Sequence, residues 1–196
     1  MTYSRTCTCM GTYLVSEFWR TCRAVSTESR LQLLWLLFEA DELCVKELAK
    51  GAEITESYAS YQLKVLLLGG VVLFRRENMN VIYRAKADPR REQAVELLVA
   101  LKKSWEQNMP LNSVAWQMTT FTHGRRIEIV RLLINGPLSF NELMKQSGMT
   151  SSALSRGLLK LESRRVVVWD GDLYRVTQPK GQLGTTLLNI VCRKDV

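Results

Sequence analysis

The sequence predicts a mainly α chain with small β-hairpins, made of one helical unit repeated twice and joined by an apolar connecting helix. Three observations carry that prediction. After Arg30 the apolar positions 31, 34 and 37 match 127, 130 and 133 after Arg126, an i, i+3, i+6 helical stripe in both halves. The match continues downstream, with Glu47-Leu48 against Glu142-Leu143, Ser60 against Ser155, Leu63 against Leu158 and Leu66 against Leu161. Both stretches then close on β-rich pairs that end in Tyr83-Arg84 and Tyr174-Arg175.

Each element follows in order. A first helix spans about 29–39 and 125–135, with a turn marked in the second half by Gly136-Pro137. The register slips by one residue here, so the second turn is one residue shorter. A short helix covers 43–50 and 139–146. The tight connections Gly51-Ala-Glu-Ile and Ser147-Gly-Met lead to Thr55 and Thr150, which stand where a helix N-cap belongs. The next helix covers 56–68 and 151–163. Hairpins follow, around Glu77-Asn-Met-Asn in the first half and Asp170-Gly171 in the second. Helix, helix, turn, helix and hairpin make a winged helix-turn-helix. The division is an N-terminal unit over 1–110 (core about 12–86) carrying the connecting helix 88–108, and a C-terminal unit over 111–196 (core about 111–178).

The connecting helix is predicted to be capped by Asp88, with Pro89 at its first position. Its stripe is Ala94, Leu98, Leu101 and Trp105, with Val95 and Val99 as a second apolar edge. Two readings stand: it packs between the winged units, or it also pairs with a second chain, and periodicity does not separate them. Pro110 ends it; Leu111 to Thr119 then mirrors Tyr13 to Arg20, and residues 185–192 read as a tail of unassigned structure.

Composition narrows the function. The chain has 196 residues, 46% hydrophobic and 23% charged, as expected of a globular protein rather than a disordered one. No stretch nears the roughly 20 apolar residues of a bilayer span, and Met1 to Cys7 lacks a signal-peptide core, which predicts a cytoplasmic chain. With 27 Lys and Arg against 19 Asp and Glu, the net charge is +8, which favours a polyanionic partner. The surplus is uneven: 8 basic and 8 acidic residues fall in 24–86, but 9 and 5 in 121–178. The five cysteines, 7, 9, 22, 44 and 192, are odd in number and irregularly spaced, unlike a disulfide framework. One histidine, His123, and no nucleophile–base pair, phosphate loop or metal quartet argue against an enzyme. His123 itself reads as an exposed residue before a helix, and more distantly as a pH-sensitive group.

Several motifs, in order, are familiar. The segment Arg23-Ala-Val-Ser-Thr-Glu-Ser-Arg-Leu-Gln-Leu-Leu is followed by Glu42-Leu-Cys-Val-Lys-Glu-Leu, then Ser57-Tyr-Ala-Ser-Tyr-Gln-Leu, then a wing at Arg75-Arg-Glu-Asn-Met-Asn-Val-Ile-Tyr-Arg. Over roughly 20–86 this resembles the ArsR/SmtB family of bacterial winged-helix repressors, and 115–177 resembles it more weakly. The resemblance implies a DNA-binding transcriptional regulator of repressor type. Members are usually single winged units that dimerise, so two units in one chain leave open whether the chain is a built-in dimer or self-associates through 88–108.

The residues themselves fit double-stranded DNA as partner. Ser57, Ser60, Tyr61, Gln62 and Lys64 fall on the solvent side of the first recognition helix, opposite Ala59, Leu63 and Leu66, and Gln62 has the bidentate geometry for adenine. Arg75 and Arg76 on the wing suit phosphates or the minor groove. In the second unit the candidates are Ser151, Ser152, Ser155, Arg156 and Lys160, with Arg164 and Arg165 after the helix, although Asp170 and Asp172 place acid at its wing tip. The competing expectation is a tandem winged-helix module that binds proteins without reading DNA. A sensor is a further expectation. The resemblance implies thiolates on the second helix, where Cys44 keeps one position and Lys46 replaces the other; Cys7 and Cys9 would complete a set for a soft metal or arsenite. Against it, Cys44 also reads as a small buried hydrophobe.

Overall fold

The computed structural model describes residues 18–179 and 181–193. The first unit comprises α1 (18–24 within the described residues), α2 (Glu28–Ala40), β1 (Glu42–Cys44), α3 (Val45–Gly51), α4 (Glu56–Leu68), β2 (Leu73–Glu77) and β3 (Asn80–Arg84). After α5 (Glu92–Glu106) the series repeats as α6 (Leu111–Met118), a 3-10 turn, α7 (Gly124–Ile134), α8 (Phe140–Ser147), α9 (Ser151–Ser163), β4 (Val167–Trp169) and β5 (Tyr174–Val176), and ends in α10 (Gln182–Cys192). No helix among the described residues is long and apolar enough to cross a membrane.

The helix starts follow from local hydrogen bonding. Thr55 Oγ1 accepts the Tyr58 amide at 3.3 Å and opens α4. Ser139 opens α8 through a reciprocal box: the Glu142 amide donates to its Oγ, while its own amide donates to Glu142 Oε2 at 2.8 Å. Cys44 holds the same place before α3, its amide donating to Glu47 Oε2 at 2.7 Å. The turn into each recognition helix needs one left-handed residue, Glu53 (φ 54°) in the first unit and Gly148 (φ 64°) in the second.

The wings differ. In the first, β1 joins the hairpin to give the antiparallel order β1-β3-β2, with Glu42 opposite Arg84 and Leu73 opposite Arg84 on the other side. In the second, β4 and β5 pair alone, and one bridge between Leu138 and Tyr174 stands where β1 would be. Asp170 shapes that turn as predicted: its Oδ1 accepts the Leu173 amide at 3.0 Å and the Asp172 amide at 3.3 Å, with Gly171 at φ 106°.

The repeat is also a repeat of the core. Leu31, Leu34, Leu37, Leu63 and Leu66 are buried in one unit, and Ile127, Val130, Leu133, Leu158 and Leu161 in the other. These belong to a single apolar cluster that runs through both units. It is continuous because the units interlock. Helix α6 of the second half packs on α2 of the first, and the last helix, α10, packs on both α5 and α7. Helix α5 turns Ala94, Leu97, Ala100 and Leu101 inward, and α10 answers with Leu183, Leu187, Leu188, Ile190 and Val191. Arg131 Nε donates to the Val191 carbonyl at 3.0 Å, and Arg193 pairs with Glu96 across α5 and α10.

One expectation changes, and two open readings are filled in. Asp88 is not the N-cap of the connecting helix: that helix starts after Arg91, at Glu92, and ends at Glu106. Asp88 Oδ1 instead accepts the Arg90 amide at 3.1 Å and stabilises a preceding turn, because Pro89 fits a turn as readily as a first helical position. The segment 185–192, left without a structure, is most of α10. The connecting helix packs between the units, while its second apolar edge, Val95 and Val99, stays exposed.

Candidate nucleic-acid interface

Each recognition helix follows a threonine at its N-cap position, of which Thr55 alone caps through its side chain, and the two present matched polar faces. On α4, Ser57, Ser60, Tyr61 and Lys64 are exposed, with Ala59, Leu63 and Leu66 buried opposite. On α9, Ser151, Ser152 and Arg156 are exposed, Ser155 and Lys160 are half-buried, and Leu154, Leu158 and Leu161 point inward. Aligned through the repeat, Ser57 and Ser60 correspond to Ser152 and Ser155, while Tyr61 corresponds to Arg156 and Lys64 to Leu159. The shared serines keep the helix close-fitting; the differing long side chains give each helix its own chemistry.

Gln62 is a correction. It is only 4% exposed, and its Oε1 accepts a hydrogen bond from Arg30 Nη1 at 2.9 Å. Arg30 in turn donates Nη2 to the Arg23 carbonyl at 3.0 Å and Nε to the Ala24 carbonyl. Gln62 therefore ties α4 to α2 and the chain entering it, and no base edge reaches it. The spacing misled because position 62 lies at the edge of the apolar stripe, where a long amide folds under as easily as out.

The arginines divide. Arg75 bridges Glu42 at 2.9 Å and Glu77 at 2.7 Å, which locks the strands of the first wing together. Arg76 stands exposed beside it. Arg164, expected on the DNA-binding face, is half-buried: its guanidinium lies 4.1 Å from the Trp116 ring centroid and Nη2 donates to Thr119 Oγ1 at 2.8 Å. It fixes α6 to α9. Arg165 is exposed, at φ 55°. Arg175 pairs with Asp170, which offsets the acid of the second wing tip.

Residues that sequence reasoning passed over complete the face. Tyr58 is 44% exposed one helical turn before Tyr61, a spacing of three that could have shown it, and Leu159 is 65% exposed on α9. Phe74 and Trp169 are exposed on the two wings.

Of the proposed thiol set, Cys7 and Cys9 lie outside the described residues. Cys44 is half-buried at the N-cap of α3, where the second unit has Ser139, so its position carries a capping role independent of any metal. Among the described residues no three His, Cys, Asp or Glu side chains come together as a metal site. Cys22 is buried in the core with its thiol pushed far up by desolvation, so it stays protonated and inert.

The sequence model of the bacterial regulatory protein arsR family matches twice, over residues 27–72 and 123–167. The first match runs from the start of α2 through α4 and stops just before β2, and the second runs from the start of α7 through α9 to the first residue of β4. A solution structure of the homodimeric winged helix-turn-helix DNA-binding domain (fragment 1–100) of Mb0332 from Mycobacterium bovis, a possible ArsR-family transcriptional regulator, is similar at 24% identity, covering 56% of this chain and 94% of that one with a TM-score of 0.44.

Proposed function

We propose that this chain, which carries the ArsR-type regulatory winged unit twice, is a sequence-specific DNA-binding transcriptional regulator that acts as a repressor. The observation that carries the reading is the pair of equivalent faces, Ser57-Ser60-Tyr61-Lys64 on α4, all exposed, and Ser152-Ser155-Arg156 on α9, with Ser155 half-buried, on two copies of one fold held by one core. Each helix enters a major groove, the serines meeting phosphates at its N-terminal end and Tyr61, Lys64 and Arg156 reaching base edges. Arg76 and Arg165 approach the flanking backbone. Since α4 and α9 differ in chemistry, the operator has two unlike half-sites, spaced roughly one helical turn, about 34 Å, apart. Repression follows if that operator overlaps a promoter and occupancy excludes polymerase.

The test is selection of bound fragments from genomic DNA, then affinity for the selected site as salt is raised. Lys64→Glu combined with Arg156→Glu is expected to lower affinity by about two orders of magnitude or more, with a shallower salt dependence. If the double variant binds as the parent does, the helices are not the contact. A second reading, a protein-interaction module, draws on the apolar exposure of Leu159, Val168 and Trp169 around the second recognition helix and wing. Under it, low-salt binding to any genomic fragment is absent from the start.

A further inference from the structure

The two units differ most where the first helix meets the recognition helix. In the first unit the space between them is filled by Gln62, bonded to Arg30. The repeat places Gly157 at the position of Gln62 and Arg126 at that of Arg30. With no side chain on Gly157, α9 approaches α7 closely: a Cβ there would lie 2.6 Å from Ile129 Cδ1. Beside it a cavity of about 680 Å³ opens.

Its lining is cationic. Arg125 and Arg126 come from the first turn of α7, Arg156 and Lys160 from α9, and His123 from the residue before α7; no Asp or Glu is among the lining residues. Arg126 is only 6% exposed and is held in place, with Nη1 donating to the Thr119 carbonyl at 2.9 Å and Nη2 to Thr122 Oγ1 at 2.6 Å. The 11-residue helix α7 begins at this wall without an acidic residue in its first turn and without a side-chain cap, so its positive end adds to the field. The cations bear on one another. Burial first, then Arg164 and Arg126, hold the Lys160 ammonium below its ordinary range, and burial, then Arg126 and Arg23, do the same to His123. A concave site whose wall gathers this much positive charge, with Glu128 outside the lining bearing on Arg125, is complementary to an anion with several acceptor oxygens.

We propose that this cavity of the second unit, between α7 and α9, is a binding site for a phosphate group. Three guanidiniums, an ammonium and the helix end match a dianion better than a single carboxylate, since each phosphate oxygen finds its own donor. The phosphate has two sources, the backbone of a DNA strand running along α9 or a small phosphorylated compound. In the first unit Gln62, bonded to Arg30, stands at the place of Gly157.

The test uses the full chain, ¹⁵N-labelled and titrated with sodium pyrophosphate at constant ionic strength. The amides of Gly124, Arg125 and Gly157 are expected to shift in a saturable way. Arg125→Gln with Arg156→Gln, both exposed positions, is expected to weaken binding about tenfold or more, with Lys102→Gln on the exposed side of α5 as the unaffected control. Shifts that chloride reproduces, that do not saturate, or that survive the double change would overturn the site. Duplex DNA is then added to the pyrophosphate-saturated chain. Displacement assigns the pocket to backbone phosphate, and simultaneous binding assigns it to a small phosphorylated compound. Because the pyrophosphate readout needs no DNA, it stands or falls separately from the regulatory reading.

Discussion

Gln62 and Gly157 occupy one position of a repeated fold and do opposite things: the amide fills a gap and anchors Arg30, while the glycine lets two helices touch beside a cavity. The same logic sets what substitution does. Gln62→Ala removes the acceptor of a buried charged donor, and is expected to lower stability by about 2 kcal/mol in chemical denaturation without altering base preference at a selected operator. A change in base preference at unchanged stability would return Gln62 to the DNA face. The left-handed turn before each recognition helix gives a second contrast. Gly148 holds φ 64° without strain, and Gly148→Ala is expected to cost about 1 kcal/mol, whereas Glu53→Gly at the matching φ of 54° is expected to leave stability equal or higher. Denaturation midpoints of the two variants check the sign.

The helices most readable from sequence are those whose ends are written locally. Thr55 and Thr150 sit at caps, and the helices behind them run over 56–68 and 151–163 as the apolar spacing implies. What escaped depends on distant partners. Strand β1 is three residues long and exists through pairing with β3, about forty residues downstream by sequence. Helix α10 carries Gly184, Thr185 and Thr186, weak helix formers, right after its first two residues, and is held by burial against α5 and α7. Arg75, Arg164 and Gln62 read as a DNA face because a side chain's partner is invisible in a linear chain; the structure gives them Glu42 and Glu77, Trp116, and Arg30. The capping carboxylates carry a pH prediction at this scale. Backbone hydrogen bonds hold Glu47, Glu142 and Asp170 below the usual carboxylate range, with the Cys44, Ser139 and Leu173 amides as the leading donors. A carboxyl whose folded pKa is lowered contributes stability above its unfolded pKa and loses it as pH falls through the folded value. The urea midpoint is therefore expected to decline as pH drops below about 5, and Glu142→Gln is expected to flatten that decline. A pH-independent midpoint for the parent chain would remove the capping contribution.

On the scale of the whole molecule, the chain is two winged units that cannot be lifted apart. Helix α6 belongs to the second half in sequence and covers α2 of the first; in return α1 lies against the start of α7, where Trp19 Cδ1 is within reach of a Cβ placed on Gly124, at 3.6 Å. Helices α5 and α10, each following a wing, pack against each other. This is the arrangement of a two-fold dimer written in one chain, with exchange of the leading helices and pairing of the trailing ones. It predicts how the halves behave when separated. A fragment 1–110 keeps α5 but loses α10, which leaves Leu97 and Leu101, both fully buried in the whole chain, facing water. It also loses the cover that α6 gives α2. A second copy of the fragment supplies both, its α5 taking the place of α10 and its α1 that of α6. The fragment is therefore expected to be a dimer in light scattering, and Leu101→Lys is expected to make it monomeric and unfolded by burying a charge at the pairing face. A stable, folded monomer of 1–110 would show that each unit is self-sufficient and that the α5–α10 contact is incidental. In the intact chain, Leu101→Ala is expected to cost about 2–5 kcal/mol. Both units should unfold in one transition, coincident by tryptophan fluorescence and circular dichroism, because one core serves both.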